Sequence, residues 1–292
     1  MAERITFNLE GDQMVGDLYR PEGAEAYPTV VVAGPMTSVK EQVTGVYAAA
    51  LAQRGIAALA IDHRGFGESG GTPRQYEHSG HKVADLGAAL DALAGHDGID
   101  AHRIGLAGIC LGCGYASWAA VERPDRVKAL ALAVGYYRDP DAMRAGDADG
   151  FDARVEEGRA ARLHYEATGE VITIPAVALS GDAAMQTADL FDYYGTSRAG
   201  VANYTNSFAV MSREYFLPFD VQAAAPRITQ PVAMVHSNNA LSPHWAEKFH
   251  AALSCATPIR WLEGPNQVAF YDHADLVAAT ADHMAAHFRN TL

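Results

Sequence analysis

The residues best suited to do chemistry lie in a short glycine-rich run around one cysteine. Residues 108–114 read GICLGCG, follow a strand-like apolar run at 103–107 and precede a helix-like run at 115–120. This is the arrangement of a nucleophile elbow, G-x-S-x-G, with Cys110 in the serine position. An elbow holds its nucleophile on a strained strand-to-helix turn, where nearby glycines let backbones pass closely. The run therefore predicts covalent chemistry on an acyl group, with Cys110 as nucleophile.

The helix predicted after Cys110 should also tune its thiol. A helix N-terminus favours negative charge and lowers a thiol pKa, so we expect a useful thiolate fraction at neutral pH. The competing interpretation is a buried structural cysteine on a glycine-rich turn. Cys110 and Cys113 also form C-x-x-C, but a thioredoxin-like redox pair belongs near the start of a short βαβ domain. We therefore expect Cys113 to pack under the elbow.

Apolar runs that alternate with helical patterns predict the elements that position this elbow. The strand-like runs lie at 5–9, 14–19, 29–34, 57–62, 103–107, 127–134, 231–236 and 259–262. The helical patterns lie at about 41–54, 82–94, 115–120, 245–253 and 276–288. Strands that are apolar throughout are typical of a parallel sheet buried on both faces. The sequence thus predicts an α/β fold, with a mostly parallel sheet covered by helices on both faces.

The alternation of strands and helices stops between residues 136 and 227, where aromatic residues accumulate. We predict a core formed by residues 1–135 and 228–292, with residues 136–227 inserted as a cap after the sixth strand. Candidate substrate-binding residues on this insert are Tyr136, Tyr193, Phe208 and Met211. They predict an apolar or aromatic pocket under the cap, although the same residues could form the insert's own core.

Composition limits the classes of partner. The chain has 292 residues, 49% of them hydrophobic, and a formal net charge of −13 from 35 acidic and 22 basic residues. This charge disfavours nucleic acid and anionic membranes as partners. The sequence has no apolar leader and no run of 18 apolar residues, so we expect a cytoplasmic protein that acts on a small molecule. We expect no cofactor and no metal, since no Cys/His cluster has zinc spacing. A homodimer is compatible with the sequence.

Three segments together resemble a known family over nearly the whole chain. They are PMTSVKEQ at 35–42, DHRGFGES at 62–69 and GICLG at 108–112. These segments resemble the α/β-hydrolase fold, specifically its dienelactone-hydrolase-related branch, which includes fungal polyketide transferases. The resemblance implies that the insert acts as a lid and that the active site lies at the carboxyl ends of the strands.

The resemblance also implies an oxyanion hole. Its donors would be the backbone N–H of Leu111, the residue after the nucleophile, and one N–H from the loop after the third strand. Pro35 has no N–H to donate, and we choose Met36 over Thr37.

The chain departs from the family pattern at the partners of the nucleophile. Where an acid usually follows the seventh strand, residues 236–241 read HSNNAL and place the amide of Asn238 there. Where a histidine usually follows the eighth strand, residues 264–272 read GPNQVAFYD and place Gln267 there. An amide cannot shuttle a proton at neutral pH. His236 is the best placed substitute base, followed by His63 and His273, against a structural hydrogen-bonding role for each.

We therefore predict an enzyme that forms an acyl-S-enzyme at Cys110 from an activated ester, lactone or thioester. A thiolate attacks such substrates without a strong base, whereas water needs one to release the acyl group. Loss of the base should therefore favour acyl transfer or cyclisation, with hydrolysis as the close alternative. The alternative of another class is a non-covalent binding or cyclising scaffold that has lost the catalytic triad.

Overall fold

The computed structural model describes residues 2–23 and 27–292, and its main feature is an eight-stranded sheet. The sheet order is β1-β2-β4-β3-β5-β6-β9-β10, with β7 and β8 in a separate two-stranded sheet. The strands are β1 (Glu3–Leu9), β2 (Asp12–Tyr19), β3 (Tyr27–Ala33), β4 (Ala57–Asp62), β5 (Ile99–Ile109), β6 (Leu130–Ala133), β7 (Thr173–Ile174), β8 (Phe208–Ala209), β9 (Val232–His236) and β10 (Arg260–Trp261). All eight predicted strands are present, and the predicted α/β fold class is confirmed.

Within the eight-stranded sheet of the described residues, the β1–β2 hairpin and its junction with β4 are antiparallel, and the pairs from β4 to β10 are parallel. Strand β4 lies on one side of β3 in the sheet, and the next strand along the chain, β5, lies on the other side of β3. Right-handed crossovers therefore put α1 and α2 on opposite faces. The helices are α1 (Val43–Ala52), α2 (Ser79–Ala94), α3 (Gly112–Glu122), α4 (Pro140–Gly146), α5 (Ala148–Thr168), α6 (Ala188–Tyr194), α7 (Arg213–Phe216), α8 (Pro243–Ala252), α9 (Ala269–Asp272) and α10 (Ala274–Thr291). Helix α1 packs against α10, and α2 packs against α3.

The core of the protein is the parallel part of the sheet. Strands β3, β4 and β6 are buried along their whole length. This explains why their sequences are apolar without alternation, since both faces are covered by helices. Strand β6 covers only residues 130–133 of its apolar run, and directly after it Val134 has φ +40. A β-branched residue rarely adopts this conformation, and its place beside the elbow marks a constrained position.

Residues 136–227 lie outside the eight-stranded sheet and hold α4 to α7 together with the β7–β8 pair. Several contacts tie this insert to the remainder of the chain. Trp118 Nε1 donates to the Asp220 carbonyl (2.8 Å), and Arg198 forms an ion pair with Asp272 (2.6 Å). The absence of a βα rhythm in this part of the sequence thus corresponds to a mainly helical insertion.

Three carboxylates, those of Glu41, Asp62 and Glu68, lie within 4.8 Å of one another. The Nζ of Lys40 donates to all three, at 2.7, 2.9 and 2.5 Å respectively. The protein's own ammonium group therefore occupies the centre of this cluster. Separately, across residues 2–23 and 27–292, no helix has both the length and the apolar character needed to cross a membrane.

Candidate active site

Cys110 sits on a strained turn between β5 and α3. Its φ is +55, and its backbone N–H donates to the Ala133 carbonyl at 3.2 Å. The turn needs glycine on its helical side, because a Cβ on Gly112 would lie 2.1 Å from the Ala33 carbonyl oxygen. A non-glycine residue held at positive φ costs free energy that the surrounding structure must supply. This geometry is that of a nucleophile elbow with cysteine at its tip.

A cavity of about 410 Å³ opens above this elbow. Cys110, Leu111 and Met36 line its floor, at the carboxyl ends of the parallel strands, and residues of the insert line the opposite wall. The main sheet and the insert therefore share one enclosed site, as expected for a ligand at this edge of an α/β sheet.

Two of the four aromatic or sulfur-containing candidates face this cavity. Tyr136 and Phe208 line it, whereas Tyr193 lies behind its wall, edge-on to Tyr271 at a ring distance of 5.1 Å. Met211 is buried in a separate small cluster with Ala161, Ala209 and Val210. The assignments of Tyr193 and Met211 to the pocket are therefore wrong, because an aromatic run does not reveal which of its side chains form the insert's own core. Their places are taken by Tyr194 and Phe216.

The turn after β3 is where the second oxyanion donor was predicted. Thr37 has φ +58, and its N–H donates to the Glu77 carboxylate at 2.8 Å, so this N–H is not free for a ligand. Met36 lines the cavity beside Cys110 and Leu111. The choice of Met36 over Thr37 thus agrees with the hydrogen bonding of this turn.

The carboxylate of Glu77 is fully buried and holds the turn after β3 in place. Besides Thr37 N–H, it accepts a hydrogen bond from Tyr115 Oη at 2.5 Å and pairs with Lys82 Nζ at 2.8 Å. The Lys82 ammonium in turn lies 4.2 Å from the centre of the Phe66 ring. Two hydrogen-bond donors and one ammonium ion pair on this buried carboxylate provide the compensation that a charge in the interior requires.

We expect Glu77→Ala to lower the free energy of unfolding by about 3–5 kcal/mol, because the variant leaves Lys82 charged and unpaired in the interior. Urea denaturation measures this change. The double variant Glu77→Ala/Lys82→Met should recover a large part of the loss. Glu10→Ala, which breaks only the exposed ion pair with Arg64, is the matched control and should cost less than about 1 kcal/mol. Equal losses in the single and double variants would contradict a buried ion pair.

The expected lowering of the Cys110 pKa is wrong. Burial raises the pKa of this thiol to about 11, although hydrogen bonds from Tyr271, the Leu111 backbone N–H and Gln267 act in the opposite direction. Cys110 is only 6% exposed, so loss of hydration outweighs the benefit of the helix N-terminus. The Cys110 thiol is therefore held in its neutral, protonated form at neutral pH.

Gln267 occupies the position beside Cys110 that the sequence comparison indicated for the missing histidine. Its Nε2 donates to the Val134 carbonyl at 2.8 Å and to the Tyr271 hydroxyl at 3.2 Å, and its Oε1 accepts from Leu241 N–H at 3.0 Å. These contacts lock the amide in one orientation. Because Gln267 donates to the Tyr271 oxygen, the phenolic hydrogen is directed toward the Cys110 sulfur.

None of the three candidate histidines lines the cavity. His236 is fully buried, and its two ring nitrogens lie 3.1 Å from the carbonyl oxygens of Ser237 and Gly135. His63 pairs with Asp85 in the interior, and His273 is exposed at the start of α10. Burial lowers the pKa of His236. The assignment of His236 as the base is therefore wrong, since a strand end beside the site points this side chain into the core.

Asn238, the residue expected in place of the acid, is exposed. The side chain that reaches back toward the eighth-strand loop is that of its neighbour, Asn239, whose Nδ2 donates to the Gly264 carbonyl at 2.8 Å. A one-residue difference in a tight turn decides which amide faces inward, and the sequence does not reveal it.

Sequence reasoning missed Tyr271, Glu77 and Arg138. Tyr271 follows Gln267 by four residues, so the turn that leads into α9 places both side chains on one face. That spacing was a usable signal. No sequence signal marks Glu77 or Arg138, because their importance comes from burial and from partners distant in sequence.

Comparison with known proteins places these features in a family. A family model described as X-Pro dipeptidyl-peptidase (S15 family) matches residues 10–164, more than half of the chain. The uncharacterized protein YcjY of Escherichia coli K12 is 30% identical over 275 residues, which cover 91% of this chain and 89% of YcjY. The polyketide transferase claH of Penicillium crustosum is 35% identical over 136 residues, 46% of this chain and 44% of claH.

Two solved structures show the same fold. The hypothetical protein PA2218 of Pseudomonas aeruginosa superimposes with a TM-score of 0.86 at 28% identity, covering 100% of this chain and 94% of the other. The α/β hydrolase GrgF of Penicillium sp. sh18 superimposes with a TM-score of 0.78 at 19% identity, with 99% of both chains covered. The resemblance to the α/β-hydrolase fold is therefore confirmed, while its narrower dienelactone-hydrolase-related branch stays a prediction.

Proposed function

This chain belongs to the X-Pro dipeptidyl-peptidase (S15) family and is a hydrolase or acyltransferase of the α/β-hydrolase superfamily, and on this basis we propose that it works through an acyl-S-enzyme at Cys110. The observation that carries the proposal is the position of Cys110, on a strained elbow at the floor of an enclosed cavity. The Leu111 and Met36 backbone N–H groups would stabilise the oxyanion.

Tyr271 takes the place of the missing histidine in this proposal. When the substrate binds, the Tyr271 hydroxyl hydrogen turns from Cys110 Sγ to the leaving group. As Sγ then bonds to the acyl carbon, the thiol proton passes to the Tyr271 oxygen, and the Tyr271 proton passes to the departing alcohol or thiol. The bond between the acyl carbon and the leaving group breaks in the same step. Gln267 holds the Tyr271 oxygen through its Nε2. The phenol need not become a full phenolate, which suits a tyrosine whose pKa burial raises well above its ordinary value.

The fate of the acyl group follows from what the site lacks. Among the described residues, no imidazole lines the cavity, and the carboxylate that does, that of Asp182, is paired with Arg213 rather than free to activate water. Transfer or cyclisation onto an enclosed nucleophile is therefore favoured over hydrolysis, and the insert acts as the lid that limits access of water. The printed name of claH, a polyketide transferase, supports transfer. The substrate is a small acyl compound whose chain contacts Tyr136, Phe208 and Phe216.

Intact-mass and peptide mass spectrometry after incubation with 4-nitrophenyl esters tests the proposal. We expect one acyl group per chain, mapped to Cys110, and release of 4-nitrophenol in a burst. Cys113, buried one turn further along, and Cys255, exposed, are internal controls that should remain unmodified. Absence of an adduct, together with ligand binding that Cys110→Ala does not change, would instead support the non-covalent scaffold, which the raised pKa of the thiol favours.

Gln267→His should convert the trapped acyl group into a hydrolysed one. An imidazole beside Cys110 can activate water, and general-base catalysis contributes roughly 10² to 10⁴ in rate. We expect about 10²-fold faster decay of the acyl adduct, because no carboxylate is available to orient the imidazole. Gln267→Met, which also removes the amide, is the matched control and should not accelerate decay. Since Asn238 is exposed, adding Asn238→Asp should bring no further gain.

A further inference from the structure

A buried arginine in the cavity has no role in the mechanism above. Arg138 is 2% exposed and lines the cavity together with Cys110. It belongs to the segment that leaves β6, in which Tyr136 N–H donates to the Cys110 carbonyl at 3.0 Å. Arg138 N–H donates to the Tyr136 carbonyl at 2.9 Å, so a tight turn ties the arginine to the back of the elbow.

Among the described residues, the guanidinium of Arg138 has a buried donor without a partner. Nη2 donates to the Leu217 carbonyl at 2.9 Å, while Nε is buried without any hydrogen bond. Within the described parts of the chain, Arg138 forms no ion pair; its positive charge lies 4.3 Å from the Phe216 ring centre and 5.5 Å from that of Tyr136. A guanidinium carries five N–H donors and stays charged in proteins, so its burial without an anion is costly.

Unlike Arg138, the other two arginines that line the cavity have carboxylate partners. Arg213 pairs with both Glu157 and Asp182, and Arg154 is exposed and faces Asp147 at 3.6 Å. Burial lowers the pKa of Arg138, which shows that the site as it stands disfavours its charge. An anion supplied from the cavity would remove that penalty. The protein as a whole carries a formal charge of −13, so this cationic position is local to the site.

We propose that Arg138 binds a carboxylate at the far end of the acyl group, so that the preferred substrates are half-esters or half-thioesters of dicarboxylic acids. This inference rests on the proposed acylation of Cys110. The planar guanidinium fork matches a carboxylate, and the aromatic rings beside it exclude water and strengthen the pair. The rings that flank the guanidinium, Tyr136 and Phe216, are those proposed to contact the acyl chain, whereas Tyr271 serves the leaving group, so the anion belongs to the retained acyl chain.

The binding test does not depend on chemistry at Cys110. Calorimetric titration compares the monomethyl esters of succinic to suberic acids, which keep one carboxylate, with the corresponding dimethyl esters. We expect at least one monomethyl ester to bind about 10- to 100-fold more tightly than its dimethyl counterpart, and Arg138→Met to remove that difference. Arg154→Met is the matched control and should retain it. Equal affinities for the two series in the unmodified protein would overturn the proposal, as would competition by inorganic phosphate at the same affinity, which would indicate a general anion site.

The kinetic test adds the acyl step. The 4-nitrophenyl half-ester of glutaric acid is compared with 4-nitrophenyl 5-methylhexanoate, in which an isopropyl group replaces the carboxylate. Arg138→Met should lower the ratio of the half-ester rate to the 5-methylhexanoate rate by about 10- to 100-fold. The change should come from slower acylation by the charged half-ester, with the rate for the uncharged ester unaltered. Arg138→Lys, which keeps the charge but not the fork, should give an intermediate ratio. If neither ester acylates Cys110 while carboxylate binding still requires Arg138, the proposed function fails and the carboxylate site stands. If Arg138→Met does not fold, the proposal is tested by the preference for the charged half-ester over the uncharged ester in the unmodified protein and in Arg138→Lys.

Discussion

Replacing Cys110 with alanine is expected to lower acyl turnover by about 10³-fold or more and to abolish the covalent adduct. Removal of a nucleophile eliminates the covalent route and leaves only the contribution of the oxyanion donors and binding. The measurement is steady-state and burst kinetics with the 4-nitrophenyl ester that the unmodified protein uses best.

Cys113→Ala is the matched control for this variant, because it also removes a buried thiol from the same turn. The Cys113 sulfur contacts the Ala133 carbonyl at 3.5 Å, beneath the elbow. We expect turnover within about threefold of the unmodified protein. If the two alanine variants lose activity equally, or if Cys110→Ala retains the burst, Cys110 is not the nucleophile.

Tyr271→Phe is expected to slow acylation of Cys110 by about 10²- to 10⁴-fold at pH 7, since it removes the group that receives the thiol proton and protonates the leaving group. Tyr193→Phe is the matched control. Tyr193 packs edge-on to Tyr271 at a ring distance of 5.1 Å and does not line the cavity, so its loss should have little effect on acylation.

The pH profile separates proton transfer by Tyr271 from mere packing. With the thiol pKa near 11, only about 10⁻⁴ of Cys110 is thiolate at pH 7. If Tyr271 relays the proton, the neutral thiol reacts and the acylation rate of the unmodified protein stays nearly flat between pH 6 and 9. In Tyr271→Phe the rate should instead rise about tenfold per pH unit toward 11, as thiolate forms without help. A tenfold rise per unit in both proteins would contradict the relay.

The sequence by itself determined the sheet and the position of the elbow that carries Cys110. The fully apolar strands could be read because a parallel sheet covered on both faces tolerates no alternation. The elbow could be read because Gly112 must pass close to the Ala33 carbonyl, and that steric requirement is local. The amide at Gln267 was equally visible, since a histidine is either present in that loop or absent.

The tertiary structure decided the properties that depend on burial and on partners far apart in the chain. The pKa of Cys110 rises rather than falls because burial of the thiol outweighs the helix N-terminus, to which the sequence alone would assign the opposite effect. His236 is lost as a base because its ring faces the carbonyls of Gly135 and Ser237. The proposed binding of a substrate carboxylate by Arg138 depends on the fact that no carboxylate of the described residues pairs with it. Desolvation and hydrogen-bond partnership are set by the whole packing, so no local pattern of residue types could have shown them.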